Sequence, residues 1–280
     1  MKNGTPGSHY LPLTSVSSGK GAEVRPDVYA FTTQIVNVVM VGAPNTLNWV
    51  LVDAGMPKSD DNIMDAIEER FGFPAPPRAI VLTHGHFDHV GALSVLASRW
   101  DVPVYAHELE MPYLTGTRAY PEPDPLVEGG LAAKLSAFFP NEPVDLTGRV
   151  KPLPADGTVP EMPGWRWIHT PGHTLGHVSL FREEDRTLIA GDAFVTVRQD
   201  KLYQVLTQHL EISGPPRYYT PDWIAAKESV RRLEALKPAA AVTGHGHPVA
   251  GRELTEGLAE LARDFDRLAV PDHGKYVDGE

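Results

Sequence analysis

Cysteine is absent from the 280 residues. That excludes a disulfide framework and any thiolate chemistry, so a metal site in this chain must be built from His, Asp and Glu. Basic residues are scarce as well: 25 Lys and Arg stand against 36 Asp and Glu, a formal net charge of −11. Nucleic acid is therefore not expected as a partner, because neutralising phosphates takes clustered cations. An anionic membrane surface is disfavoured for the same reason. A small anionic substrate stays open, since bound metal ions can dominate the field inside a cleft. Nothing approaches the roughly 18 consecutive apolar residues of a membrane span. Met1 to Gly21, rich in Gly and Ser, lacks an apolar run of signal-peptide length. A cytoplasmic location is the resulting expectation. There is no Gly-x-Ser-x-Gly either, so no serine-based nucleophile motif competes for the chemistry.

What is present is ordinary globular material, 42% hydrophobic and 22% charged. Residues 1–22 read as a flexible tail, 23–270 as one domain, and 271–280 as a second tail. Val28 to Thr33, Ile35 to Val41 and Leu47 to Val52 are β-branched or apolar runs with the turn Gly42-Ala43-Pro44-Asn45 between the last two. Asp60 to Phe71 has apolar residues at helical spacing, Ala79 to Leu82 is a short buried strand, Val90 to Trp100 is helical, and Val102 to Ala106 is a strand. Residues 108–153 are rich in proline, with helical patches near Glu108 to Leu114 and Leu126 to Phe139. An insert this long reads as a lid over a pocket. Strands follow at Trp165 to His169, Val178 to Phe181 and Thr187 to Ala190, then a helix over Asp222 to Leu236 with Ile224, Val230, Leu233 and Leu236 on one side. A strand over Ala239 to Thr243 and a helix over Glu253 to Leu268 complete the chain. Strands, a helix and a strand thus occur twice. Two such halves with facing sheets make an α/β sandwich.

The strongest chemical signal is His84-Gly85-His86-Phe87-Asp88-His89, four potential ligands directly after an apolar strand. Without a cation, such a cluster would repel itself when protonated and leave polar atoms unpaired when neutral. His173, Asp192 and His245 also follow strands and lie next to glycine, where loops converge and sites are built. Seven groups are too many for one four-coordinate zinc and suit two, with one carboxylate between them; Asp192 is the choice. Nitrogen and oxygen ligands favour zinc, and iron or manganese also fit.

The HxHxDH motif, followed in order by a distant His, an Asp and a last His, resembles the metallo-β-lactamase superfamily over roughly residues 28 to 250. The resemblance implies a four-layer αββα sandwich of two facing mixed sheets, with the site at one edge. It implies that His84, His86 and His173 hold one metal and Asp88, His89 and His245 the other, with Asp192 bridging. Asp53 matches the family's early Asp, which supports the ligand loop. A homodimer is the assembly the family suggests. The expected chemistry is hydrolysis of a small-molecule ester, thioester or lactone by a hydroxide held between two dications, with Asp88 orienting it or handing a proton to the leaving group. An iron-dependent oxidoreductase of the sulfur dioxygenase kind and a non-catalytic metal-binding protein are the alternatives. Phe194, Tyr203, Tyr218 and Tyr219 are expected to line the pocket opposite the lid. His247 is an alternative to His245, His177 reads as a support or surface residue, and His107 as a cavity residue. His9, His209 and His273 read as ordinary polar positions. Glyoxalase II enzymes resemble the chain in their ligands, but they carry a longer helical C-terminal part with basic glutathione contacts. Quorum-quenching lactonases typically place a tyrosine three residues after the bridging Asp, where this chain has Val195.

Overall fold

The computed structural model describes residues 14–72, 75–125, 127 and 145–278. Among them, strands β1 (Gly21–Arg25), β2 (Val28–Thr33), β3 (Val36–Val41), β4 (Val50–Val52), β5 (Ile80–Val81), β6 (Val104–Ala106) and β7 (Val150–Pro152) form a seven-stranded sheet in chain order. Its strands are antiparallel as far as β4 and parallel from there on. The second sheet has five strands, ordered β12-β11-β10-β9-β8: β8 (Trp165–His169), β9 (Val178–Arg182), β10 (Thr187–Gly191), β11 (Ala240–Thr243) and β12 (Val249–Ala250). Within it β10 and β11 run parallel.

The period-2 alternation of apolar residues assembles the layers. Val28, Val39, Val50, Val52 and Val81 of the first sheet meet Val178, Leu180, Ile189 and Val242 of the second in one buried cluster. Their neighbours along the same strands, Val38, Met40, Leu51 and Ile80, face the other way. There they pack under α1 (Asp60–Phe71) and, beyond the short α2 (Phe87–Val90), under α3 (Leu93–Trp100). On the far side Phe181, Leu188, Ala190 and Ala241 lie under two later helices. Each fully buried Val or Leu contributes roughly 1.5–3 kcal/mol. The result is the four-layer αββα arrangement.

Most elements fall where the periodicity places them, and the departures have physical reasons. The 108–153 insert begins with a short 3-10 turn and α4 (Met111–Leu114); the helical patch expected near Leu126 to Phe139 lies, apart from Val127, outside the described residues. After α5 (Leu202–Thr207), the expected helix forms as α6 (Trp223–Ala235), capped by the Asp222 carboxylate, which accepts from Ala225 N–H. Its inner seam is Trp223, Ala226, Val230 and Leu233, whereas Ile224, one position off that seam, is 81% exposed. The closing helix divides into α7 (Gly251–Arg263) and α8 (Phe265–Leu268). Of the tails, residues 14–22 are tied to the body: Ser15 N–H donates to Gln34 O at 3.0 Å and Ser15 Oγ–H to the same oxygen at 2.7 Å. The later tail carries α9 (Lys275–Asp278), which docks through Lys275 N–H on the Asp124 carboxylate at 2.6 Å.

The sheets are joined at both ends. At one, Val178 N–H donates to Thr83 O, and Asn37 donates to the carbonyls of Thr243 (2.9 Å) and Gly246 (2.7 Å). At the other, Arg25 of the first sheet pairs with Asp185 at 3.1 Å, and Arg182 of the second grips Asp27 and Asp185. Burial raises the Asp185 carboxyl, but the Arg182 guanidinium outweighs it and holds that group well below the usual carboxylate range. No helix among the described residues is long and apolar enough to cross a membrane.

Candidate metal centre

Every candidate ligand leaves the carboxyl end of a strand. Leu82 and Thr83 carry the chain from β5 into the 84–89 loop, whose second part is α2. His173 follows β8, Asp192 follows β10 and His245 follows β11. These three strands point the same way, since β8 and β10 are both antiparallel to β9 and β10 is parallel to β11. The pattern of the second sheet therefore delivers three residues far apart in sequence to one edge, opposite the loop from the first.

There the seven predicted residues are buried together. Ligand-capable atoms converge in three groups, each within 4.8 Å: His84, His86 and His173; His84, His89 and Asp192; and Asp88, His89 and His245. His86 Nδ1 and His173 Nε2 face each other at 2.9 Å. Asp192 lies between the sets, 3.4 Å from His173 Nε2, 3.6 Å from His89 Nε2 and 3.3 Å from His245 Nε2. His245 Nε2 is also 3.2 Å from the Asp88 carboxylate.

The surroundings select which nitrogen of each ring stays free. His89 Nδ1–H donates to Asp53 at 2.8 Å and His245 Nδ1–H to Ile35 O at 3.0 Å. Thr83 gives its own hydroxyl proton to Asp53, so its oxygen accepts from His84 Nδ1–H at 3.1 Å. Thr220 likewise donates to Pro216 O and accepts from His173 Nδ1–H at 3.3 Å. Four imidazoles thus present Nε2, the arrangement by which outer partners aim metal ligands. His86 presents Nδ1 instead.

Burial, reinforced by neighbouring imidazoles, pushes His84 well below its ordinary value, and burial takes His86 down to about 4. Burial opposes the charge on His89 and His245 too, but the adjacent carboxylates prevail, Asp192 foremost, and His245 rises to about 10. One end of the cluster therefore offers neutral nitrogens and the other mixes nitrogen with carboxylate. His84 Nε2, His89 Nε2 and Asp192 Oδ1 are buried without a hydrogen-bond partner among the described residues. Orphaned buried polar atoms of this kind are costly, and a cation that displaces the His89 proton satisfies them. The residues fit such an ion.

Asp53 accepts from Thr83 N–H and Thr83 Oγ–H as well as from His89, with its own backbone at φ 60°. Sequence reasoning assigned less to His177 than the structure does. It is fully buried, donates through Nδ1 to Thr170 at 2.8 Å and accepts Asp192 N–H on Nε2 at 2.9 Å. His247 stands apart from the ligand groups, against Ser17 Oγ at 3.3 Å. His209 and His273 are exposed, and His9 lies outside the described residues.

A narrow cleft opens beside His86 and His173, walled by Tyr113, Tyr120, Tyr219 and Tyr276. Of the four aromatics expected there, Tyr219 belongs, its ring 4.6 Å from that of His86. Tyr218 is buried just behind it. Phe194 and Tyr203 are corrections: Phe194 packs into the core of the second sheet, and Tyr203, on the outer side of α5, is 78% exposed. His107 stacks on His169 at 4.4 Å rather than lining this space. Tyr113, Tyr120 and Tyr276 were missed. The first two sit in the expected lid, which was a usable signal; nothing near Tyr276 distinguished it from a tail.

Two facing sheets with a buried His and Asp cluster at the carboxyl ends of their strands define a metal-binding α/β protein. The chain belongs to the metallo-beta-lactamase superfamily, whose model matches residues 32–245. It is 49% identical over 260 residues to the probable metallo-hydrolase YflN of Bacillus subtilis, covering 92% of this chain and 98% of that one. It is 28% identical to a hydroxyacylglutathione hydrolase of Ectopseudomonas mendocina, over 69% of this chain and 61% of the relative. Among solved structures, TTHA1623 in a di-iron-bound form superposes with a TM-score of 0.52 at 28% identity, covering 81% of this chain and 92% of that one. The Rm3 metallo-beta-lactamase, 20% identical, shares the fold with a TM-score of 0.57, over 81% and 78% of the two chains.

Proposed function

We propose that the chain is a hydrolase of small-molecule esters, thioesters or lactones that works with two metal ions, zinc first among them. The observation that carries this is the convergence of seven buried ligand residues, three of which carry an atom without a partner among the described residues. His84, His86 and His173 would hold one ion and Asp88, His89 and His245 the other, with Asp192 shared. When bound, such a pair lowers the pKa of a water toward neutrality and polarises a carbonyl oxygen.

The protein's part is to place and shield the substrate. No charged side chain is among the described residues that line the cavity, which supports an uncharged acyl group there. Tyr219 lines this space, and its hydroxyl is buried with no hydrogen-bond partner among the described residues. We assign it to donate to the substrate's carbonyl or leaving-group oxygen. Asp88 is assigned to hold the proton that passes to the leaving group. The resemblance to a hydroxyacylglutathione hydrolase supports a thioester, and the di-iron form of TTHA1623 keeps iron among the metals to test.

The experiment is elemental analysis of the purified protein together with a screen of generic esters, thioesters and lactones. About two zinc ions per chain and turnover that a chelator abolishes and zinc restores are expected. One iron per chain with no hydrolysis would move the protein to the oxidoreductases. Metal without turnover on any of the three classes would leave a binding protein.

A further inference from the structure

Glu110 has no part in the ligand set, yet its side chain is completely buried at the centre's edge. Oε2 accepts from Gly85 N–H at 3.0 Å and from the Tyr120 hydroxyl. Oε1 accepts from Thr174 Oγ–H at 2.7 Å and from Gly176 N–H at 2.8 Å. Four donors match the lone-pair capacity of a carboxylate. Three stretches of chain supply them: the ligand loop of the first half, the insert, and the ligand loop of the second half. Gly85 lies between His84 and His86; Thr174 and Gly176 follow His173.

The approach is close enough to dictate the donor residues. A Cβ at Gly176 would come within 2.7 Å of Glu110 Cγ and 2.8 Å of Oε1. A Cβ at Gly85 would come within 2.5 Å of the Tyr120 oxygen. Both glycines are thus required by contact with this pair. Burying a carboxylate costs several kcal/mol unless its oxygens are satisfied, so a buried acid bonded only to neutral donors marks a place where geometry is being fixed. Asp53 grips the imidazole of His89 and the Thr83 that backs His84; among the described residues no carboxylate performs that service for His86 or His173. Glu110 holds the backbone beside both.

We propose that Glu110 is a positioning residue for the ion at His84, His86 and His173, acting by clamping the Gly85 and Gly176 loops into register. The clamp sets the 2.9 Å approach of His86 Nδ1 to His173 Nε2. The inference rests on the two-ion reading above.

Cobalt(II) titration of metal-free protein, read by visible absorption and by chelator competition, tests it. The unaltered protein binds two cobalt ions per chain; fewer than two overturns the two-ion reading itself, whatever the variants do. In Glu110→Gln an amide NH2 faces two of the four donors. One cobalt site weakens roughly tenfold to a hundredfold with its absorption band altered, and the other keeps its affinity and spectrum. Both sites unchanged, or both weakened equally, overturns the clamp, because a general structural role would not single out one ion. If Glu110→Gln does not fold, Thr174→Val decides. It removes a single donor and weakens the same site to a smaller degree; unchanged binding in that variant overturns the proposal.

Discussion

The two halves of the sandwich reach the same edge by different means. The first places four ligands within six residues, and one carboxylate behind the imidazoles, Asp53, collects three donors. The second spreads His173, Asp192 and His245 over three strand ends, each set by its own partner: Thr220 for His173, His177 for Asp192 and Ile35 O for His245. A contiguous motif can be held by one residue, whereas dispersed ligands need the whole sheet to be in register. Damage should therefore be concentrated in the first half and distributed in the second.

The sharpest break of this comparison is at the residue both halves share. Asp192→Ala is expected to lose at least one metal ion by elemental analysis and about a thousandfold in turnover, on the order of 4 kcal/mol. Retention of both ions and of rate would show that the halves are not joined through Asp192. Next in size is Asp53→Asn. Asn tolerates φ 60° as Asp does, so the loss is assignable to the amide set against the donors of Thr83 and His89. About 2–4 kcal/mol is expected by urea unfolding. A change below 0.5 kcal/mol would mean that the first half has no such single support.

Tyr219→Phe separates chemistry from stability. Removing a buried hydroxyl that has no partner among the described residues should leave the unfolding midpoint unchanged or raised, since such a group costs about 1–3 kcal/mol. kcat/KM should fall about a hundredfold if the hydroxyl donates to the reacting oxygen. Unaltered kinetics would remove Tyr219 from the reaction. The smallest effect belongs to Tyr203→Ser, on the exposed side of α5. Stability within about 0.5 kcal/mol of the parent is expected, with unchanged KM. A raised KM would return Tyr203 to the pocket.

Much of this was legible in the sequence because it was local or periodic. The HxHxDH cluster announces itself, and alternating Val and Leu on β3 to β5 fix both faces of the first sheet. The remaining ligands were legible as His or Asp after a strand and beside glycine, and their order along the chain matched one family. The residues that hold them were not. Glu110, Asn37 and His177 owe their roles to contacts across the fold, with partners as far as 66 positions away for Glu110 and 209 for Asn37. A single buried Glu carries no local mark of that. Tyr203 and Ile224 misled for the converse reason: an aromatic or aliphatic side chain near a site says nothing of which way its backbone turns it.

The ionic contacts of Arg25, Asp27, Arg182 and Asp185 join the sheets at the end remote from the histidines. That end is partly solvated and its attractions are screened by electrolyte, whereas the histidine end is buried and, on the two-ion proposal, is expected to answer to chelation instead. Potassium chloride and EDTA are thus expected to be two independent handles on one sandwich, each loosening the end that the other leaves intact.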